Sequence, residues 1–116
     1  MAPGRELAAV LAGIDVSGLS GYDQVVVLQA HRRMASHYSA MGYGAMAAIS
    51  ETMDEMFDDD VELAYRAAAT EIRAALALTR RSADNELDLA LGLVERVSRV
   101  WEALAQGAID VPKARE

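Results

Sequence analysis

The chain has 116 residues, 53% of them hydrophobic, and a formal charge of −7 from 11 basic and 18 acidic side chains. That length predicts one domain, and the acidic balance opposes general nucleic-acid affinity, which comes from Lys and Arg neutralising phosphates. The absence of cysteine excludes disulfides, thiolate metal sites and cysteine nucleophiles.

Alanine and leucine supply most of the apolar surface, with a single Phe and a single Trp, and the only prolines, Pro3 and Pro112, lie near the ends. Strong helix formers without internal breakers predict an all-α fold. The expected form is a small helical bundle with one long N-terminal helix and a helix-turn-helix-like hairpin, within a single helical domain over residues 1–116. No apolar run reaches the roughly 20 residues needed to span a bilayer. The N-terminal apolar stretch is short, is interrupted by Glu6, and does not read as a secretory signal. A cytoplasmic protein with no membrane partner is the expectation.

In chain order, Pro3-Gly4 introduces a first helix over 5–12, with Leu7, Val10 and Leu11 on one face and Gly13 at its end. Residues 14–19 read as a connection. Ser20 opens the next helix, and Asp23 stands in for the Glu of a capping box. No strong stop follows until Met56. Val27, Ala30, Met34, Met41, Ala45, Ala48 and Met56 keep approximate helical spacing. That predicts one long helix of nine or ten turns, where Gly42 and Gly44 mark a kink or a close approach by another helix. Its methionine stripe has two readings, core or an adaptable partner groove, and a long amphipathic helix also suits a homodimer.

Asp58-Asp59-Asp60 reads as a solvated linker whose last residue caps the next helix, with a divalent-cation site as the alternative. The third helix is expected over 61–78, with Leu63, Ala67, Thr70, Ala74 and Leu78 on one side, thickened by Ile72 and Leu76. A fourth runs from Arg80 to about Val94. Val97, Val100, Trp101 and Leu104 define a fifth, closed by Gly107. Asp110 caps a last helix with Val111-Pro112 in its first turn. The chain stops soon after, as expected of a fragment or shortened form of a longer protein.

The stretch EIRAALALTRRSADNELDLAL, residues 71–91, is the most informative. It reads as two helices joined by a tight turn, with Thr79 as N-cap of the second. Ile72, Leu76, Leu78, Ala83 and Leu87 fall where a helix-turn-helix unit needs its inter-helix core. Ala77 stands where the turn usually has glycine. The outward positions are Arg80, Arg81, Ser82, Asp84, Asn85 and Asp88. Thr79, Arg80, Arg81, Ser82 and Asn85 are therefore the candidate DNA-contacting residues. Asp84 and Asp88 count against that role, because phosphates repel carboxylates. An ordinary helical hairpin is the competing reading.

No catalytic constellation is evident. His31 and His37 are six apart and fall on different faces, so they do not chelate one metal. His31-Arg32-Arg33 is a basic cluster suited to pairing with carboxylates of a neighbouring helix. No Gly-x-Ser-x-Gly elbow and no phosphate-binding glycine loop occurs. A non-enzyme without cofactor, metal or small-molecule ligand is expected.

Four segments together carry a resemblance: PGRELAAVLAGIDVSGLSGYDQVVVLQAHRRMASHYSA, EIRAALALTRRSADNELDLALGL, Val97 to Gly107, and GAIDVPKARE. In that order the chain resembles the helical domain of unknown function that precedes HNH endonuclease modules in actinobacterial proteins, among them the mycobacterial thirteen-E-twelve repeat proteins. The resemblance implies an all-helical domain attached to a nuclease, with no catalytic residue carried over, since the clustered His and Asn ligands of that nuclease are not in this chain. It implies a non-catalytic accessory domain, either targeting duplex DNA through the helix-turn-helix-like segment or serving as an interaction or dimerisation module that binds no nucleic acid.

Overall fold

In the computed structural model, which describes residues 1–58 and 60–116, the chain is all-α. Its helices are α1 (Arg5–Ala12), α2 (Gly21–Met56), α3 (Val61–Leu76), α4 (Arg80–Leu91), α5 (Ser98–Ala105) and α6 (Val111–Arg115). A 3₁₀ turn, Val16–Gly18, precedes α2, and a π-helical turn, Gly92–Arg96, follows α4. No strand occurs among the described residues.

The helix ends follow local chemistry. The Ser20 hydroxyl accepts from the Asp23 backbone N–H at 3.3 Å. Asp60 and Asp110 accept from Leu63 and Lys113 N–H groups at 3.1 and 3.0 Å. Each bond satisfies one of the donors that a helix leaves unmade in its first turn. At the other end of α5, Gly107 N–H donates to Leu104 O and Ala108 N–H to Ala103 O. These paired bonds are a Schellman motif, and Gly107 has the left-handed φ, +73°, that the motif requires.

The chain divides into two compact units, and the division falls inside α2. The first comprises Met1–Met41 and Arg99–Glu116. Its core is Leu7 and Leu11 of α1 against Val27, Ala30 and Met34 of α2. Val10, expected on the same face, is exposed. Polar groups on α5 and α2 bond across this unit. Trp101 Nε1 donates to Ala40 O at 2.9 Å, and His37 Nδ1 donates to Ala105 O at 2.8 Å, satisfying a carbonyl in the last turn of α5. Leu104 is fully buried, whereas Val97 is exposed. Arg32 of the basic cluster does meet a carboxylate, Asp110 at 3.9 Å, but both are exposed and such a pair contributes little.

The second unit is Gly42–Ser98. Its core is Ala68, Ala69 and Ile72 of α3 against Leu87 of α4, with Met46, Ile49 and Met53 of α2 packed around them. The expected apolar stripe on α2 holds through Met34 and then fails. Met41, Ala45, Ala48 and Met56 are exposed, and Ala40, Tyr43 and Ala47 are buried instead. A Cβ at Gly42 would meet nothing within 4 Å, so no helix approaches closely there. The methionines divide in the same way: Met34 is core, Met46 and Met53 are half-buried, and Met41 and Met56 are exposed.

α3 ends at Leu76, two residues earlier than expected, because Ala77 turns left-handed at φ +53°. Leu78 N–H then reaches back to Arg73 O at 3.0 Å, which closes the helix. An alanine in this conformation carries about 1–2 kcal/mol of steric strain that glycine avoids. Glycine gives back part of that through its freer unfolded chain, about 0.4–1 kcal/mol. Ala77→Gly is therefore expected to raise stability by about 0.5–1 kcal/mol, read as a higher urea midpoint at unchanged slope.

Candidate nucleic-acid interface on the α3–α4 hairpin

The hairpin is built by two adjacent backbone events. Ala77 stops α3, and Thr79, in extended conformation, starts α4 by accepting from Ser82 N–H at 3.1 Å. Ile72, Ala83 and Leu87 form the buried seam, with Leu78 packed at its edge. Leu76, expected in that seam, is 52% exposed. The left-handed turn follows it immediately, and the apolar residue that continues the core is Leu78.

Thr79, Arg80, Arg81, Ser82 and Asn85 are all exposed. Thr79 is committed to the cap. Among the described residues, neither Arg80 nor Arg81 makes an ion pair. The two carboxylates that opposed DNA contact are partly accounted for. Tyr65 on α3 donates its hydroxyl to the Asp88 carboxylate at 2.7 Å, with a longer approach to Asp84 O at 3.3 Å. Asp84 is half-buried rather than outward. Partial burial, the hydrogen bond to Asp88 and the charges of Asp88 and Asp84 all hold the Tyr65 phenol above its ordinary pKa of 10.0. It therefore stays a protonated donor throughout the physiological range.

Beside this pair lies a cleft of about 410 Å³ between α3 and α4. Its floor is small, Ala69 and Ala83, so the helices leave a depression rather than interlocked side chains. Its walls include Arg66 and Arg73 of α3 and Arg80 of α4, together with Glu62, Tyr65, Thr70 and Asp84. Sequence reasoning missed Tyr65, Arg66 and Arg73. The available signal was the spacing of positions 62, 66, 69 and 73, which puts all four on one helical face.

The electrostatic setting is two-sided. The second unit holds 5 basic and 12 acidic residues, whereas the first holds 6 of each. The whole net charge therefore belongs to the unit that carries the hairpin. Polyanion contact there depends on local arginines, because charges farther away than about 8 Å are largely screened at physiological salt.

Other candidate chemistry is sparse. His31 is exposed, and His37 is engaged with the α5 carbonyl. No group of three or more potential ligands is placed to hold a metal among the described residues. The Asp58-Asp59-Asp60 candidate includes Asp59, which lies outside the described residues. No described helix is long and apolar enough to cross a membrane. Compared with known proteins, the chain matches no family model, no curated protein and no solved structure.

Proposed function

We propose that this chain is a non-catalytic helical accessory domain whose α3–α4 hairpin docks on duplex DNA, with the first turn of α4 towards the groove and its arginines on the backbone. The supporting observation is the turn itself. A left-handed Ala77 followed by the Thr79 cap leaves Arg80, Arg81, Ser82 and Asn85 exposed together at the start of α4, while Asp88 is bonded by Tyr65. Arg and Asn are the side chains that reach phosphates and adenine or guanine edges. This reading extends the resemblance to helical domains that accompany HNH endonucleases, in which DNA targeting is a natural task for a partner of the nuclease.

The test is duplex binding across a salt series, with the mass in solution recorded alongside. Binding should weaken steeply with salt, and Arg80→Gln with Arg81→Gln should flatten the log–log slope by about 2, one unit for each phosphate contact removed. Arg80→Glu with Arg81→Glu should abolish binding. Undiminished binding by the Glu variant, or no binding by the unaltered chain at low salt, rejects the reading. In the second case a clean dimer would move the function to self-association. One observation favours that alternative: Tyr22, Val25 and Leu28 of α2 are exposed on the side away from Val27, Ala30 and Met34.

A further inference from the structure

We infer that the cleft between α3 and α4 is a phosphate-binding site, in which Arg66, Arg73 and Arg80 hold one oxyanion group. The inference rests on the DNA reading for its biological ligand, a backbone phosphodiester, and on the cleft for its chemistry. Three guanidinium-bearing side chains line one depression, and none is ion-paired among the described residues. That is the informative feature. Glu62 and Asp84 line the same cleft, and both are available on adjacent turns, yet no salt bridge forms between them and the arginines. The guanidinium forks are left with donors to spare, and planar forks suit the tetrahedral oxygens of phosphate.

The geometry sets the arrangement. Arg66 and Arg73 are seven residues apart, so their Cα atoms are separated by about 10 Å along α3 on one face. Arg80 enters from α4, across the Ala69–Ala83 floor. An anion in the cleft would thus meet donors from both helices, and its binding would clamp the hairpin. The floor alanines carry no polar atom beyond the backbone, so the oxygens of a bound group are served from the walls. Thr70 does not compete, because its hydroxyl donates to Arg66 O at 2.8 Å within α3. Tyr65 contributes shape rather than a donor, since its proton is directed to Asp88.

The cleft and the DNA reading are separable by experiment. Pyrophosphate is titrated into the isotope-labelled full chain, with sodium chloride at matched ionic strength as control, and the side-chain Nε–H signals of the arginines are followed. The expected result is saturable shifts of Arg66, Arg73 and Arg80 with pyrophosphate only. Arg66→Gln with Arg73→Gln should weaken the affinity at least roughly tenfold, the loss of one or more charge-assisted bonds. Both positions are exposed, so the variant should keep the circular dichroism of the parent. A short duplex should shift the same three signals and be displaced by excess pyrophosphate. Pyrophosphate shifts without duplex binding would keep the cleft and reject the DNA reading. Duplex binding that is lost in the Arg80 and Arg81 variants but unchanged in Arg66→Gln with Arg73→Gln would keep the DNA reading and overturn the cleft. Shifts that match the chloride control, or that persist in the double variant, also overturn it.

Discussion

Gly107→Ala is expected to destabilise the first unit by about 3 kcal/mol or more, from two costs that add. The residue has φ +73°, and a non-glycine side chain in that region costs about 1–2 kcal/mol. The added Cβ would also lie 2.7 Å from Arg33 Cβ and 2.9 Å from Arg33 Cα. Ordinary carbon contacts are about 3.5–4.0 Å, so α2 or the turn must move. Arg33 lies inside a 36-residue helix, and the atoms struck are its Cβ and Cα, which are fixed to the helix backbone and cannot swing aside as a side-chain tip could. Overpacking of this kind costs about 1–3 kcal/mol. The measurement is urea unfolding followed by fluorescence of Trp101, the only tryptophan, whose indole is bonded to Ala40 O in the same unit. Gly107→Asn separates the two costs, since Asn tolerates the left-handed region but carries the same Cβ. If Asn and Ala destabilise equally, the clash dominates. A shift under about 1 kcal/mol for Ala would mean that the turn relaxes away from Arg33 at little cost.

The helix starts were legible in the sequence, whereas α3 and α4 stop earlier than expected, at Leu76 and Leu91, and the buried faces held in α1 and the first half of α2 but not in α3 or the second half of α2. Gly13, Ser20, Asp60, Thr79, Gly107 and Asp110 stand at the boundaries their chemistry predicts, because capping is decided within three or four residues. The buried face of α3 is Ala64, Ala68, Ala69 and Ile72, whereas spacing pointed to Leu63, Ala67, Thr70, Ala74 and Leu78 thickened by Ile72 and Leu76, so that only Ile72 is shared. Of that expected side Leu63, Thr70 and Ala74 are exposed. Alanine suits core and surface alike, so in VELAYRAAATEIRAAL the leucines set the apparent phase although the alanines are what pack. The same ambiguity misplaced the second half of α2. Ala40 and Ala47 carry the buried face there, one position before Met41 and Ala48.

The candidate interface was half legible. Arg80, Arg81 and Asn85 lie on the exposed start of α4, as the cap at Thr79 requires. What α3 contributes could not be placed without its phase: Arg66, Ala69 and Arg73 line one cleft with Arg80 and Ala83. The same shift brings Tyr65 over Asp88 and orients that carboxylate through a hydrogen bond, although it stays exposed and charged.

That dependence makes Leu87→Ala the most demanding test of the second unit. Leu87 is fully buried against Ala68, Ala69 and Ile72. Its fully buried neighbours are two alanines and Ile72, whose short or branched side chains move little, while Met46, Ile49 and Met53 at the edge fill only part of a void. Truncation should then fall within the range for such changes, about 2–5 kcal/mol. A unit of this size has about 3–9 kcal/mol to lose, from the usual stability per residue. With a slope of about 1–2 kcal/mol per molar urea, the midpoint by circular dichroism should drop by at least about 1 M. Leu87→Met, which keeps the volume, should cost less than about 1.5 kcal/mol and serves as the control. The variant also links packing to chemistry. Leu87 lies one turn beyond Ala83 on α4, and loosening it should blunt the pyrophosphate response of Arg66 and Arg73 although neither residue is altered. Retained arginine shifts together with the full stability loss would show that the cleft does not depend on the packing of Leu87.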